Sequence, residues 1–505
     1  MKTTLLATSV ALILLGGCSD SATTTDTNLT RDTSAIFPHS FALQTLTQES
    51  LEISNLSISK AATADSSITR IDELLAGDLP LNDVFTPELL YAHSEDAQCY
   101  GPSLLYKDHP DSATPNSGEL PTGDLGIWTI NEGSTSQACT AAQLDAQMNG
   151  VKERTMSGLF LLASSLDALY DAGLSLPAVG SSVDITPYMP TIADVTFTSV
   201  TLEQTSAGEY QYSIAFTYTR FGNDYDIEFQ TTHRSGATSD EYSGLMAYQI
   251  QDTRNGGNCG VGDHNVTRKG SLIYERVSSD VFAVDAREAD FCSHSMSSGF
   301  DSNGTLDATD TYDALSNPDG WGNDYNRFIS NYKASNLSGQ YSYVWQAGFG
   351  DSHSRALQID LNDHTPVDGE SYFSFAAPVY DTSATFGESL GMICNWAAPG
   401  STNTLQPYAQ REFLEFNSTT NFFETSEGAS NITYAPTNDC TYVGDATFEY
   451  DRDLDSSLTS SDIAVVKVGA SGSTELEFDL FSYTGSTVAE MIENRGAHLP
   501  VAPTW

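Results

Sequence analysis

The feature that most constrains this chain is a two-residue alternation of apolar and polar side chains in its second half. The alternation runs over 210–218, breaks at Gly222-Asn223-Asp224 and resumes over 225–229, which predicts a β-hairpin. Such alternation buries one face of a strand and leaves the other in water, which is typical of antiparallel sheet. The same pattern returns over 246–250, 341–345, 357–361 and 476–480.

The clearest helix is predicted to begin at Thr140, where Thr140 and Gln143 have the spacing of a capping box, and to stop at Gly173. A weaker helical period covers 68–75. We therefore expect an α+β, β-rich fold, with a large twisted antiparallel sheet, sandwich or barrel-like, covered by one long helix in the N-terminal half. The apolar positions of this helix are Leu144, Met148, Val151, Leu159, Leu162, Leu166 and Leu169.

The first 18 residues combine a basic start at Lys2, an apolar run too short to span a bilayer at Leu5–Leu15, and Leu15-Gly16-Gly17-Cys18. This arrangement resembles the signal peptide of bacterial lipoproteins. The resemblance implies that Cys18 is acylated, palmitate included, and becomes the new N-terminus. It also implies, from Ser19, sorting to the outer membrane, with the body facing the periplasm or the cell surface. An ordinary secretory signal is the alternative, and the residues indicate no functional family.

Four segments are expected along the chain. Residues 1–18 form the signal peptide, and 19–40, rich in Ser, Thr and Asp, form a flexible tether. Residues 41–180 form a helical, loop-rich region, and 181–505 form the antiparallel β-rich region, packed on the helix as one body.

The chain is strongly acidic, with 67 Asp and Glu against 21 Lys and Arg and a net charge of −46. Such a surface repels nucleic acid and anionic lipid head groups, so we exclude both as binding partners. Solubility in salty water explains the charge, and bound cations are the alternative. The expected partners are the membrane, through the lipid anchor, and an envelope protein or glycan. The oligomeric state does not follow from the sequence.

Six cysteines remain after Cys18, and an even number in an exported protein predicts three disulfides. The six fall into three well-separated couples along the chain, so sequential pairing is the simplest of the possible arrangements. The predicted disulfides are Cys99–Cys139, Cys259–Cys292 and Cys394–Cys440.

Two acidic stretches are candidate calcium sites. The first, 451–462, resembles the EF-hand or dockerin loop, in which oxygen ligands at fixed spacing wrap around one ion. The alternative for the first stretch is a solvated acidic connection between two strands, and for the second it is an ordinary turn rich in Asp, Asn and Gly. The ligands predicted in the first stretch are Asp451, Asp453, Asp455, Ser457 and Asp462, and those in the second, weaker match are Asp301, Asn303, Asp307 and Asp310.

One stretch suggests an enzyme. The block Gly350-Asp351-Ser352 follows a predicted strand and resembles the nucleophile block of SGNH-type hydrolases, which implies Ser352 as nucleophile. That family places an aspartate three residues before a late histidine, whereas Arg495 stands three residues before His498. We therefore favour a non-enzymatic envelope lipoprotein with a binding or structural role. A surface hydrolase and a calcium-stabilised adhesion or polysaccharide-binding module are the alternatives.

Overall fold

The structure is a computed structural model, and its described residues all belong to one compact unit, Thr33–Trp505. The described residues are 36–38, 41, 43, 45–46, 67–93, 137–238, 240–253, 265–292, 325–346, 354–376, 404–405, 408–425, 433–434, 439–444, 447–451, 465–468, 476–479, 498–501 and 503.

Helices and strands divide the described chain into a helical first part and a β-rich second part. The α-helices are α1 (Ser67–Ala76) and α2 (Cys139–Asp171), and short 3-10 helices cover Leu81–Asp83, Pro87–Tyr91 and Thr186–Tyr188. The strands are β1 (Ser181–Asp184), β2 (Val195–Ser206), β3 (Glu209–Arg220), β4 (Asn223–Ser235), β5 (Tyr242–Thr253), β6 (Asn265–Arg276), β7 (Val281–Cys292), β8 (Tyr325–Lys333), β9 (Gly339–Gln346), β10 (Ser354–Asn362), β11 (Asp368–Ala376), β12 (Thr404–Leu405), β13 (Tyr408–Asn417), β14 (Phe422–Thr425), β15 (Thr433–Tyr434), β16 (Asp439–Gly444), β17 (Thr447–Asp451), β18 (Val465–Val468) and β19 (Leu476–Asp479).

Thirteen strands form one continuous antiparallel path, in which β1 to β11 pair in chain order and are followed by β13 and β14. Strand β15 pairs with β13 beside this path, and two small sheets contain β12-β16-β17 and β18-β19. Among the described strands, β1 and β14 lie at opposite ends of the path and do not pair with each other, so the sheet is open. The predicted β-rich, antiparallel character is confirmed.

The predicted hairpin is confirmed as β3 and β4, with the turn one residue earlier than expected. Both residues of this turn, Phe221 and Gly222, have positive φ, at 53° and 79°. Two positive φ angles characterise the type I′ turn, whose twist matches that of the flanking strands. The strand pattern follows the sequence pattern, because inward-facing residues such as Tyr212 and Phe216 are 1% exposed.

The long helix is confirmed, and it begins at Cys139, one residue before the predicted start. The N-cap is Ala138, and no side chain caps the helix, so the capping box predicted at Thr140 is wrong. The Thr140 hydroxyl instead lies 2.7 Å from that of Ser371 on β11. The predicted stop is confirmed, since Gly173 has φ 68° and Leu174 donates to Leu169 O at 3.0 Å, as in a Schellman motif. A second helix, α1, accompanies α2, so the helical layer is more than the one helix expected.

Helix α2 crosses the strands of the sheet. Its start contacts β11 through Thr140, and Gly158 approaches β4 and β5 so closely that an added Cβ would lie 2.8 Å from Met246 Sδ. Thr140 and Gly158 are about 27 Å apart along a helix axis. The six strand spacings from β5 to β11 cover about 29 Å. The two lengths agree because the helix runs nearly perpendicular to the strands.

The core lies between this helix and the aromatic face of the sheet. An early segment of the body completes it: Phe37 and Phe41 are fully buried, and the Phe41 ring stacks on Tyr274 at 4.9 Å between centroids. The Tyr212 hydroxyl donates to Ile36 O. The chain therefore enters the core from Ile36 onward.

The two ends of the sheet differ in their connections. We call one the short-turn end and the other the long-connection end. The short-turn end carries 207–208, 236–241, 277–280, 334–338, 363–367 and 418–421. The long-connection end carries the tight β3–β4 turn and the connections 185–194, 254–264, 293–324, 347–353 and 377–407.

Candidate functional site

Most sequence-predicted site residues lie outside the described residues. These are Cys18, Ser352, the four candidate ligands within 301–310, and Asp453, Asp455, Ser457 and Asp462. Asp451 is the last residue of β17, and β18 begins at Val465, so the first acidic stretch lies between two strands. The calcium and hydrolase hypotheses therefore stay predictions.

The predicted disulfides also stay predictions. Cys139, Cys292 and Cys440 belong to α2, β7 and β16, but their side chains are outside the described part of the structure. Cys99, Cys259 and Cys394 lie outside it altogether.

The best-defined polar site is a buried cluster toward the long-connection end, where α2 meets the central strands. Four residues stand directly opposite one another across β5, β6, β7 and β8: Tyr248, Gly270, Glu288 and Asn326. Gly270 is required in this row, because an added Cβ would lie 1.9 Å from the Tyr248 ring. The ring passes over Gly270, and its hydroxyl donates to Glu288 Oε2 at 2.5 Å.

Helix α2 contributes Arg154 to the same cluster. The Arg154 Nε donates to Glu288 Oε2 at 2.5 Å, and Nη2 pairs with Oε1. Arg154 Nη1 donates to Ala92 O at 2.5 Å, which joins the segment after the second 3-10 helix to the cluster. Arg268 Nε approaches Glu288 Oε1 at 3.8 Å. Arg154 and Glu288 are 1% and 4% exposed, so water screens this pair little.

About two turns earlier on α2, a second polar contact extends the cluster. The Tyr343 hydroxyl on β9 lies 2.6 Å from Asn326 Oδ1 and 3.2 Å from Gln147 Oε1. Gln147, Asn326 and Tyr343 are all buried. The helix is thus held to β5, β7, β8 and β9 by directional contacts in addition to apolar packing.

The electrostatics of the cluster favour a structural role. Burial, and then the neighbouring Glu288 carboxylate, raise the pKa of the Tyr248 phenol well above its usual value, so it stays a donor at neutral pH. Both Glu288 oxygens already accept hydrogen bonds from Arg154. A carboxylate paired in this way is a poor general base, because proton transfer would break a buried ion pair.

The opposite face of β7 carries a second charged group. Asp285 accepts hydrogen bonds from Arg327, at 3.1 and 2.9 Å, and from Arg287, at 3.2 and 2.8 Å. Burial raises the pKa of Asp285, but Arg327 and Arg287 outweigh burial and lower it to about 2. Strand β7, the seventh of the thirteen strands in the path, therefore carries a buried ion-paired carboxylate on each face.

Two further features are absent from the described residues. No group of three or more His, Cys, Asp or Glu side chains there has an arrangement that could hold a metal ion. Within the same ranges, no helix combines the length and apolar character that crossing a membrane requires.

The residues of the buried cluster were not predicted from the sequence. Two signals were present: Arg154 interrupts the apolar stripe of α2, and Gly270 interrupts an otherwise strand-like segment. A glycine within a strand marks a close approach of another group. Neither signal identifies the partner, because Arg154 and Glu288 are 134 positions apart.

The chain matches no protein-family model, no curated protein and no solved structure.

Proposed function

We propose that this protein is a lipid-anchored envelope lipoprotein whose β-rich body binds or scaffolds a partner through the long-connection end of its sheet. The observation that carries the proposal is the difference between the two sheet ends. Every connection at the short-turn end has at most six residues, whereas five at the other end are longer. Binding residues in proteins concentrate on longer connections that a rigid scaffold holds in place.

The buried cluster supports this proposal because it stabilises the scaffold toward that end. Glu288 lies four residues before the end of β7, and Asn326 is the second residue of β8, on either side of 293–324. The cluster ties both strands to α2 through Arg154 and Gln147. A rigid base of this kind limits the motion of the strand ends from which the connections emerge.

The face of the sheet away from α2 favours the sandwich arrangement over a single exposed layer. A row of directly paired residues crosses this face from β4 to β10, and every member is at most 8% exposed. Glu275 on the same face contacts the C-terminal part of the chain through His498, at 2.8 Å. A second layer over this face explains the burial. The row is Thr232, Leu245, Ile273, Asp285, Ile329, Ser342 and Gln358.

The anchor is tested by fractionating cells that express the native chain or Cys18→Ser, with labelled palmitate in the medium. We expect the native chain to take up label and sediment with the outer membrane, and the variant to be unlabelled and released or poorly processed. A Cys18→Ser protein that still sediments with the outer membrane would show that another feature holds it there.

The binding face is tested by a photo-crosslinking residue at Phe221, which is 85% exposed in the β3–β4 turn at the long-connection end. The matched control is the same residue at Val179, 58% exposed and paired with Gln204 near the short-turn end. We expect a discrete adduct in intact cells from Phe221 and none from Val179. Equal adducts at both positions would contradict a binding role for the long-connection end.

A further inference from the structure

A cavity of about 710 Å³ lies at the short-turn end, away from the buried cluster. Residues from three connections or their flanking strands line it: Asn336 between β8 and β9, His364 to Val367 between β10 and β11, and Phe416 to Ser418 at the end of β13. This volume lies within the range of about 300–1,000 Å³ that small-molecule sites occupy. The cavity is independent of the function proposed above.

The walls of the cavity are held in place by hydrogen bonds. Both carboxylate oxygens of Glu424 accept, one from Asn417 Nδ2 at 2.8 Å and the other from the Thr420 hydroxyl at 2.7 Å. Phe416 N donates to Val367 O at 2.8 Å, which joins the β10–β11 connection to β13. A site that is ordered before binding loses little conformational entropy when a ligand enters.

The polar groups of the lining are mainly hydrogen-bond acceptors. Glu415 and Glu424 contribute carboxylates, and Asn336 and Asn417 contribute amides. His364 Nδ1 lies 2.8 Å from Asp368 Oδ1, so this contact does not use the other ring nitrogen, Nε2. Carboxylate and amide oxygens accept from hydroxyl groups, whereas two carboxylates disfavour an anionic ligand.

The remaining lining is apolar. Pro366, Val367 and Phe416 supply it, and the Phe416 ring packs on Phe423 at 5.4 Å between centroids. A purely apolar ligand would displace water from the polar groups of the cavity without replacing the hydrogen bonds of that water, which is unfavourable. The ligand must therefore present hydroxyl groups together with a face of C–H groups.

From these features we infer that the cavity binds a sugar unit that carries no negative charge. Ring hydroxyls donate to Glu415, Glu424 and the two amides, and the C–H face of the ring packs on Phe416 and Pro366. Among the described residues of the lining there is no lysine or arginine to pair with an acidic sugar. The net charge of −46 adds a long-range repulsion of anions.

Calorimetric titration of the full chain in detergent tests this inference with three hexasaccharide probes. The probes are a β-linked glucose oligomer, an N-acetylglucosamine oligomer and a galacturonate oligomer. We expect saturable binding of at least one of the two neutral probes, and at least tenfold weaker binding of galacturonate. The absence of saturable binding of both neutral probes, or equal binding of galacturonate, would overturn the inference.

Two variants at exposed positions place the binding in this cavity. His364→Ala removes a polar side chain of the lining and Glu415→Gln removes a carboxylate acceptor, and we expect each change to lower the affinity for the neutral probe about tenfold. Glu415→Gln should also narrow the discrimination against galacturonate. The matched control is His498→Ala, another exposed histidine 2.8 Å from a carboxylate, that of Glu275. Unchanged melting temperatures verify folding, and native affinity in both cavity variants would refute this location.

Discussion

At the scale of single residues, Asp145 on α2 is the side chain whose environment most changes its chemistry. Burial raises its pKa from 3.8 to about 6, although Lys152 and a hydrogen bond from Gln137, at 2.8 Å, act in the opposite direction. The carboxyl hydrogen-bonds to Thr45, which belongs to the segment that enters the core from Ile36 onward. Ionising Asp145 is therefore unfavourable in the folded protein.

The raised pKa of Asp145 predicts that the free energy of unfolding depends on pH. Between pH 4 and 6 the folded protein holds the proton of Asp145 more tightly than the unfolded chain does, so the free energy of unfolding falls as pH rises. When Asp145 is fully ionised, the free energy of unfolding has fallen by at most about 3 kcal/mol. We expect Asp145→Asn to remove this loss and to stabilise the protein at pH 7. Urea unfolding at several pH values measures the difference between variant and native chain.

The control for this experiment is Asp83→Asn, at an exposed position. Its difference from the native chain should not change with pH between 4 and 6. The free energy of unfolding of each variant is compared with that of the native chain at every pH, because 67 acidic residues contribute to the pH dependence of both. A pH-independent difference for Asp145→Asn would contradict the assignment of a raised pKa.

At the scale of secondary-structure elements, the docking of α2 depends on a buried ion pair as well as on its apolar stripe. Arg154→Met leaves the Glu288 carboxylate buried, with Arg268 3.8 Å away as its nearest remaining cation among the described residues. We expect this change to lower the free energy of unfolding by about 3–5 kcal/mol. Urea denaturation of the variant measures the loss.

An exposed ion pair provides the control for Arg154. Lys333 pairs with Asp363, and their side chains are 40% and 53% exposed. Lys333→Met should lower the free energy of unfolding far less than Arg154→Met does, because water screens an exposed pair. The double variant Arg154→Met/Glu288→Met should lose less free energy of unfolding than the sum of the two single variants. Each single variant leaves one buried charge without its partner, whereas the double variant removes both charges. Additive losses would show that the two residues do not stabilise each other.

At the scale of the whole molecule, the acidic stretch between β17 and β18 predicts stabilisation by calcium. Four predicted ligands, Asp451, Asp453, Asp455 and Asp462, repel one another without a cation. Binding to the native state alone stabilises by about 2.7 kcal/mol when the free ion is a hundredfold above the dissociation constant. We expect the melting temperature to rise in millimolar calcium, and much less in Asp451→Ala/Asp455→Ala.

The control removes two exposed carboxylates from another part of the chain, as Asp78→Ala/Asp83→Ala. This variant should respond to calcium as the native chain does, although it loses the same negative charge. Identical melting of the native chain in calcium and in chelator would rule the site out and leave a solvated acidic connection.

Much of the sheet and the long helix could be predicted from the sequence, because their signals are local. Apolar residues alternate with period two from Tyr210 to Phe229 and recur with the helical period from Leu144 to Leu169. Both periods are visible in the sequence and do not depend on the residues that pack against these segments. Gly173 stops α2 through its own positive φ. The capping box failed as a prediction because Thr140 lies inside the helix and contacts Ser371, more than 200 positions later.

Tertiary structure alone determined the sites. Arg154 meets Glu288, and Gln147 meets Tyr343, only because a helix crosses strands that lie far along the chain. The short-turn cavity likewise joins three separate connections that share no sequence pattern. The physical reason is that periodicity reports which face of an element is buried. Which residues meet across that face depends on strand order and on the direction of the helix, and these are set only when the elements pack.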